Sequence, residues 1–418
     1  MTTVNIESLA PAGPVVDPDA VARTYADDRA HVFHSWSAQG ALNPMVVTAA
    51  QGSWVWDGDG RPLLDFSSQL VNTNIGHQHP AVVAAISQQA ARLCTIAPQH
   101  ANDVRSEAAR LIAQHAPGDA LQHVFFTNAG AEAIEHAVRM ARLHTGRCKV
   151  LTRYRSYHGG TDLAVNMTGD PRRWANDIGT EGVVHFFGPF TYRSAFHAQD
   201  DEQECARALE HLEQVVQLEG PATIAAIVLE TVPGTAGIMV PPPAYLAGVR
   251  EICDRYGICW IADEVMCGFG RTGAWFAVDH FAGAGGTPLV PDLVTFAKGV
   301  NSGYVPLGGV IISDAIYETF RDRVYPGGLT YSGHPLACAA AVATMTAMAD
   351  EGIVDNAAGP AAAPMAALAA ACKRRGLLPF VNMSRLHVVP PCTITDDEAR
   401  LGLHLLDEAL TEVEAAHL

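Results

Sequence analysis

No apolar run in this chain of 418 residues approaches the ~20 residues a helix needs to cross a bilayer. Its start, Met1-Thr2-Thr3-Val4-Asn5, has neither the basic nor the apolar stretch of a secretory leader. No membrane partner is expected, and the cytoplasm is the expected compartment. Positive charge is scarce: 27 Lys and Arg stand against 44 Asp and Glu, a formal charge of -17. Binding to a phosphate backbone is therefore disfavoured, and no nucleic-acid partner is expected. The nine cysteines show no pairing pattern, and several sit inside apolar stretches, which points to a reducing compartment. Metal-ligand spacing is missing too. His77-Gln78-His79 has no cysteine or carboxylate at a ligand spacing and reads as structural. Gly268 to Gly273 matches G-x-G-x-x-G after a strand, but Ala274-Trp275-Phe276 does not open a helix and Asp292 begins its strand instead of ending it. A nicotinamide dinucleotide site is not expected.

What is present is an ordinary globular composition, 49% hydrophobic and 17% charged, enough for a large core and about two or three lobes. Two apolar runs, Cys259 to Val265 and Leu293 to Lys298, read as strands buried on both faces of a parallel sheet. Each carries an ionisable residue at its carboxyl end, Asp263 and Lys298, where α/β sheets place their ligands. Unpartnered charge there is costly, so the pair calls for a shared ligand. A desolvated lysine has a lowered pKa and condenses with an aldehyde, and an aspartate keeps a pyridine nitrogen protonated. Pyridoxal 5'-phosphate is the ligand that uses both. Thr127 to Glu132 follows a strand-like stretch and opens a helix, so its small residues offer backbone N–H groups to a phosphate. Gly327 to Pro335 is a second glycine- and hydroxyl-rich turn, in which Thr330 offers its hydroxyl.

With the stretches NAGAEA (128–133), SYHGGT (156–161), ADEVMCGFGRTG (262–273), PDLVTFAKG (291–299) and LTYSGHPLACAAA (329–341), the chain resembles the class III, or ω-amino acid, aminotransferases. The likeness runs from about residue 30 to about residue 350. It implies a fold-type I α/β architecture: a large domain on a mainly parallel seven-stranded sheet, with a smaller α+β domain from the two terminal segments. The expected division is residues 1–70, contributing to the small domain, 71–350, the large cofactor domain, and 351–418, a C-terminal small domain that looks shortened. The resemblance also implies Lys298 as the lysine that carries the cofactor aldehyde and shuttles the substrate proton. Asp263 would pair with the ring nitrogen, Tyr157 and Val265 would cover the two ring faces, and Gly130 and Ala131 would hold the phosphate. Glu230 matches a glutamate near the substrate mouth. Thr330 is expected to reach the phosphate of a neighbouring subunit, which makes the enzyme a homodimer with shared sites.

Met266 stands where many members of the family carry glutamine. The Asp-Glu-Val-Met form resembles the branch that pairs pyruvate with taurine, β-alanine or other ω-amino acids. The expected substrates are therefore an amino donor of that kind and a keto acid. Epimerisation, decarboxylation or carbon–carbon chemistry on the same cofactor is the alternative, as is a non-catalytic protein that binds it. The clamp for the substrate's acid group is open: the family's arginine precedes a Pro-Pro pair, where this chain offers Arg385 and His387, and the family's Val-Arg-Gly-x-Gly strand is not visible. Arg193, among aromatics, and Trp36 are further candidates for the substrate mouth, while Arg172 and Arg173 read as surface. Glu132 and Glu135 read as solvated charge in a first helical turn.

Outside the motifs, residues 1–30 read as a loose lead-in, Gly52 to Phe66 as a hairpin about an Asp-Gly turn, and 80–94 and 102–116 as helices. Strands and helices alternate from about 120 to 350. Beyond that come a helix from Ala361 to Arg375, a strand from Leu386 to Val389 and an amphipathic helix from Asp396 to Ala415.

Overall fold

A computed structural model of the chain describes residues 10–65, 67–176, 179–358, 371–372, 374–375, 380–382, 385–387 and 396–417. Three antiparallel strands come first: β1 (Val47–Gln51), β2 (Trp54–Asp57) and β3 (Pro62–Leu64). The expected hairpin is β2–β3. Asp57 closes it by accepting from the backbone N–H groups of Asp59 at 3.0 Å and Arg61 at 2.9 Å. The lead-in differs from expectation, because Pro18–His31 is a helix. Asp17 caps it, Pro18 occupies its first turn and it buries no residue, so its signal lies in the cap and not in apolar periodicity. Helices Pro80–Arg92 and Asp103–Gln114 follow near the expected bounds.

The main sheet has seven strands: β4 (Leu121–Thr127), β5 (Lys149–Arg153), β6 (Val183–Phe186), β7 (Ile224–Glu230), β8 (Cys259–Asp263), β9 (Leu293–Phe296) and β10 (Gly308–Ser313). Their order is β4-β10-β9-β8-β7-β5-β6. From β9 to β6 the neighbours are parallel, and only β10 runs against its two neighbours. The sheet is mainly parallel, as expected.

Every residue of β7, β8 and β9 is buried, because helices cover both faces. Strand alternation divides the side chains between two cores. Ile227, Leu229, Trp260, Ala262, Val294 and Phe296 enter one core, with Leu212, Val249 and Ala341 from the helices Asp201–Glu219, Tyr245–Tyr256 and Pro335–Asp350. Ala226, Val228, Cys259, Ile261 and Leu293 enter the other, with Ala133, Ile134, Ala137 and Val138 of helix Gly130–Thr145. That helix stops at Gly146, whose φ of 70° is the left-handed conformation of a helix end.

Alternation has a consequence for the strand ends. Glu230, Asp263 and Thr295 continue the series 226-228, 259-261 and 293, so all three belong to the face covered by helix Gly130–Thr145. They are also in register, Glu230 opposite Asp263 and Asp263 opposite Thr295.

Toward the C-terminus, β11 (Phe380–Asn382) and β12 (Arg385–His387) pair antiparallel. The strand expected from Leu386 to Val389 begins one residue earlier, and Val388 and Val389 lie outside the described residues. Most of the helix expected from Ala361 to Arg375 also lies outside them. The amphipathic segment is the helix Asp396–His417.

Candidate active site

The site begins with the in-register strand ends. Asp263 is 3% exposed, and its carboxylate is fixed from three sides. His158 Nδ1 lies 2.7 Å from Oδ2, while the Val265 backbone N–H and the Thr295 hydroxyl donate to Oδ1 at 3.0 and 3.3 Å. His158 is itself buried, and its Nε2 meets the Thr152 hydroxyl of β5 at 3.2 Å. Burial alone pushes the imidazole pKa down, but the hydrogen bond to Asp263 and the charges of Asp263 and Glu230 outweigh it and raise it. The imidazole thus holds its proton more tightly than a free histidine, although both partners are buried.

Lys298 follows β9 after one residue and opens a short turn, Lys298–Val300. Its φ of 45° is left-handed, a costly conformation for a lysine. Burial lowers the pKa of its amine; Asp263, Glu230 and Cys267 oppose the shift, and Arg172 adds to it. The lysine therefore reaches its reactive neutral form more readily than a solvated one.

Glu230, 7% exposed, has both oxygens engaged. Tyr157 N–H donates to Oε1 and Gly234 N–H to Oε2, each at 2.9 Å. Burial raises its pKa, moderated by the charge of His158. These bonds hold the Tyr157 loop over the strand ends. The same loop seats on the start of helix Gly130–Thr145: a Cβ on Gly159 would fall 2.5 Å from the Ala131 Cβ. A Cβ on Gly130 would fall 2.7 Å from Val265 Cγ1. Ala129 caps this helix without any side-chain hydrogen bond, so its first-turn N–H groups are available to an anion.

Lys298, Asp263, Glu230, Tyr157, Val265, Gly130 and Ala131 therefore converge. Trp36, Arg193 and Thr330 do not join them. Trp36 is 68% exposed, and Arg193 is exposed, with its guanidinium 5.8 Å from the Tyr192 ring. Thr330 is exposed in the turn before helix Pro335–Asp350. Arg385 and His387 are the first and last residues of β12.

Several neighbours escaped the reading of the sequence. His158 lay inside the quoted SYHGGT stretch without a role. Arg172, expected at the surface, lies with its guanidinium carbon 3.8 Å from the centre of the Tyr157 ring. Asp170 accepts from it, and Nη2 donates to the Thr235 hydroxyl at 2.9 Å. Its side chain is one-third exposed, because the short turn Pro171–Arg173, capped by Asp170, directs it back toward Tyr157. Its position beside a ring was the missing signal, and only the folded chain supplies it.

Glu132 and Glu135 also differ from a solvated pair. Glu132 accepts from the backbone N–H of Asn128 at 2.8 Å, and Glu135 accepts from Thr161 Oγ1 at 2.7 Å and the Leu163 N–H at 3.0 Å. Glu132 is a local cap, and Glu135 caps the start of a different helix, Asp162–Met167. His77 and His79 each face a carboxylate, Asp65 at 2.9 Å and Glu351 at 3.1 Å. Gly268 to Gly273 forms turns and opens no helix.

Comparison with known proteins agrees with this geometry. The family described as Aminotransferase class-III matches residues 36–375. A putrescine–pyruvate aminotransferase of Pseudomonas aeruginosa is 35% identical over 322 residues, which is 74% of this chain and 69% of that protein. A hypotaurine/taurine–pyruvate aminotransferase of Paracoccus denitrificans is 34% identical over 358 residues, 82% of this chain and 76% of that protein. Among solved structures, a taurine:2-oxoglutarate aminotransferase of Bifidobacterium kashiwanohense, in complex with PLP and glutamate, superposes with a TM-score of 0.77 at 36% identity. That match covers 97% of this chain and 100% of the other.

Proposed function

This chain belongs to the class III aminotransferase family, and we propose that it moves an amino group from an ω-amino acid or related amine to a keto acid such as pyruvate, using pyridoxal 5'-phosphate. As an aminotransferase it takes an amino donor and a keto acid as substrates. The observation that carries the reading is the in-register row Glu230, Asp263 and Thr295 beside Lys298, facing an uncapped helix start. Those residues fit the cofactor. The open N–H groups at Gly130 and Ala131 suit its phosphate, Asp263 suits a protonated ring nitrogen, and Tyr157 and Val265 suit its two faces.

When bound, the cofactor supplies an aldehyde that accepts the amine and a protonated ring that takes up an electron pair. Lys298 would hold that aldehyde at rest and, once released by the donor, would take up at Nζ the proton of the amine-bearing carbon. Its lowered pKa suits both tasks. Asp263 would pair with the ring nitrogen, and His158, whose pKa is raised by that carboxylate, holds it in place from Oδ2. Glu230, itself held by the Gly234 N–H, fixes the Tyr157 loop through the Tyr157 N–H and so would set the ring's slot. Arg172, spread over Tyr157, faces the acid group of an ω-amino acid. Its Nη1 has no acceptor among the described residues. Thr330 reaches the phosphate held by a second copy of the chain, so the working enzyme is a homodimer.

Borohydride treatment of the protein with its cofactor tests the assignment. It fixes the cofactor on the peptide containing Lys298, and an amine donor bleaches the visible absorption until pyruvate restores it. No label at Lys298 would sink the whole reading, and bleaching without recovery would sink amino transfer.

A further inference from the structure

Arg105, at the start of helix Asp103–Gln114, binds two loops from distant parts of the chain. Its Nε donates to the Gly333 carbonyl at 2.8 Å, and Nη1 donates to the carbonyls of Pro98 and His100, both at 2.8 Å. Its own backbone N–H is fixed by the cap residue, Asn102 Oδ1, at 2.9 Å. The fit at Gly333 is close. That residue has a φ of 63°, and a Cβ there would fall 2.5 Å from Arg105 Nε. Gly333 ends the turn that begins at Thr330, and Ser332 ties the same turn to β4 through the Phe126 carbonyl at 2.8 Å. The remaining nitrogen, Nη2, is buried and has no acceptor among the described residues.

A planar guanidinium that bridges three carbonyls rigidifies the turn in a way an ammonium on a flexible stem cannot. Without it, the turn would have to be ordered each time a ligand is bound, which weakens binding.

We propose that Arg105 is a positioning residue for the active site of the other subunit: it holds the turn 330–333 so that Thr330 meets the cofactor phosphate bound there. The proposal rests on the cross-subunit role of Thr330 given above. Removing charge-assisted bonds of this kind should weaken cofactor binding by about ten-fold.

The full-length chain tests this with Arg105→Lys, which keeps the charge and loses the fork, and with Gly333→Ala, which displaces the fork. Pyridoxal phosphate dissociation constants, read by fluorescence titration, should rise for both homodimers; unchanged constants for both would overturn the assignment. Heterodimers then separate action across the interface from simple support within one chain. A subunit with Arg105→Lys is paired with one carrying Lys298→Ala, so the only Lys298 lies opposite an intact Arg105. At a cofactor concentration that leaves the Arg105→Lys homodimer mostly unlabelled, borohydride should label this Lys298 as in the wild type, and turnover should correspond to one intact site per dimer. The same pairing with Thr330→Ala in place of Arg105→Lys tests the reading beneath. Recovery in that pair but not in the Arg105 pair overturns the inference alone; recovery in neither overturns the cross-subunit role of Thr330 and the inference with it.

Discussion

At the scale of single residues, two adjacent buried carboxyls of the Asp263-Glu264 pair are set to opposite uses. Asp263 faces at 2.7 Å a histidine whose pKa it raises. Glu264 is fully buried, with no cation beside it among the described residues. Burial raises its pKa to about 7, against hydrogen bonds from the Thr231 hydroxyl at 2.6 Å and the N–H groups of Ala277 and Val278 at 2.9 and 3.0 Å. Asp263→Asn should therefore cost turnover about a hundred-fold or more, as for loss of a preorganised charge at a reacting centre, measured by kcat with β-alanine and pyruvate. For Glu264 the sign runs the other way from a salt-bridged acid. Its folded pKa lies above the unfolded value, so the native state retains a proton that the unfolded chain has released. Its contribution is greatest below about pH 4.5 and is lost as pH rises to about 7, a change of about 3 kcal/mol. Denaturant unfolding of the apoprotein at a series of pH values should show Glu264→Gln free of that decline. A variant that declines in parallel with the wild type would refute the assignment.

At the scale of elements, legibility followed how local each signal was. The apolar runs at β8 and β9 named their own strands, and Asp263 and Lys298 could be placed at strand ends because a chain position fixes them. The helix start at Gly130 was visible through its small residues. What alternation and register add is that Glu230, Asp263 and Thr295 share one face, and no single stretch contains that information. His158 and Arg172 were missed for the same reason: their partners lie 105 and 15 positions away in the chain, at Asp263 and Tyr157 respectively. The turn Pro171–Arg173 sets Arg172 against the ring, and that geometry yields a specificity test. Arg172→Gln should raise KM for β-alanine or taurine about ten-fold, with little change in kcat, because an ion-paired hydrogen bond to the acid group is lost. A neutral amine should be unaffected. Equal losses for acid and neutral donors would show that Arg172 only supports Tyr157.

At the scale of the whole molecule, several large side chains near Trp36, at Leu70 and beside Thr330 remain uncovered in the single chain. Phe33 is 85% exposed, Trp36 68%, Leu70 64% and Tyr331 60%. Apolar surface of this kind is favourable to cover, and Thr330 is exposed while the strand-end cluster is buried. Both facts are met if two copies exchange these segments. Such an exchange would also account for the separation of the candidates Trp36 and Thr330 from the other site residues of their own chain. Sedimentation of the purified protein at micromolar concentration should give a dimer, and Thr330→Ala should leave that dimer intact. It should weaken pyridoxal phosphate binding by about ten-fold, the worth of one hydroxyl-to-phosphate hydrogen bond. A fully active monomer would remove the exchange from the mechanism. A dimer whose cofactor affinity ignores the loss of Thr330 would keep the assembly and move the phosphate contact elsewhere.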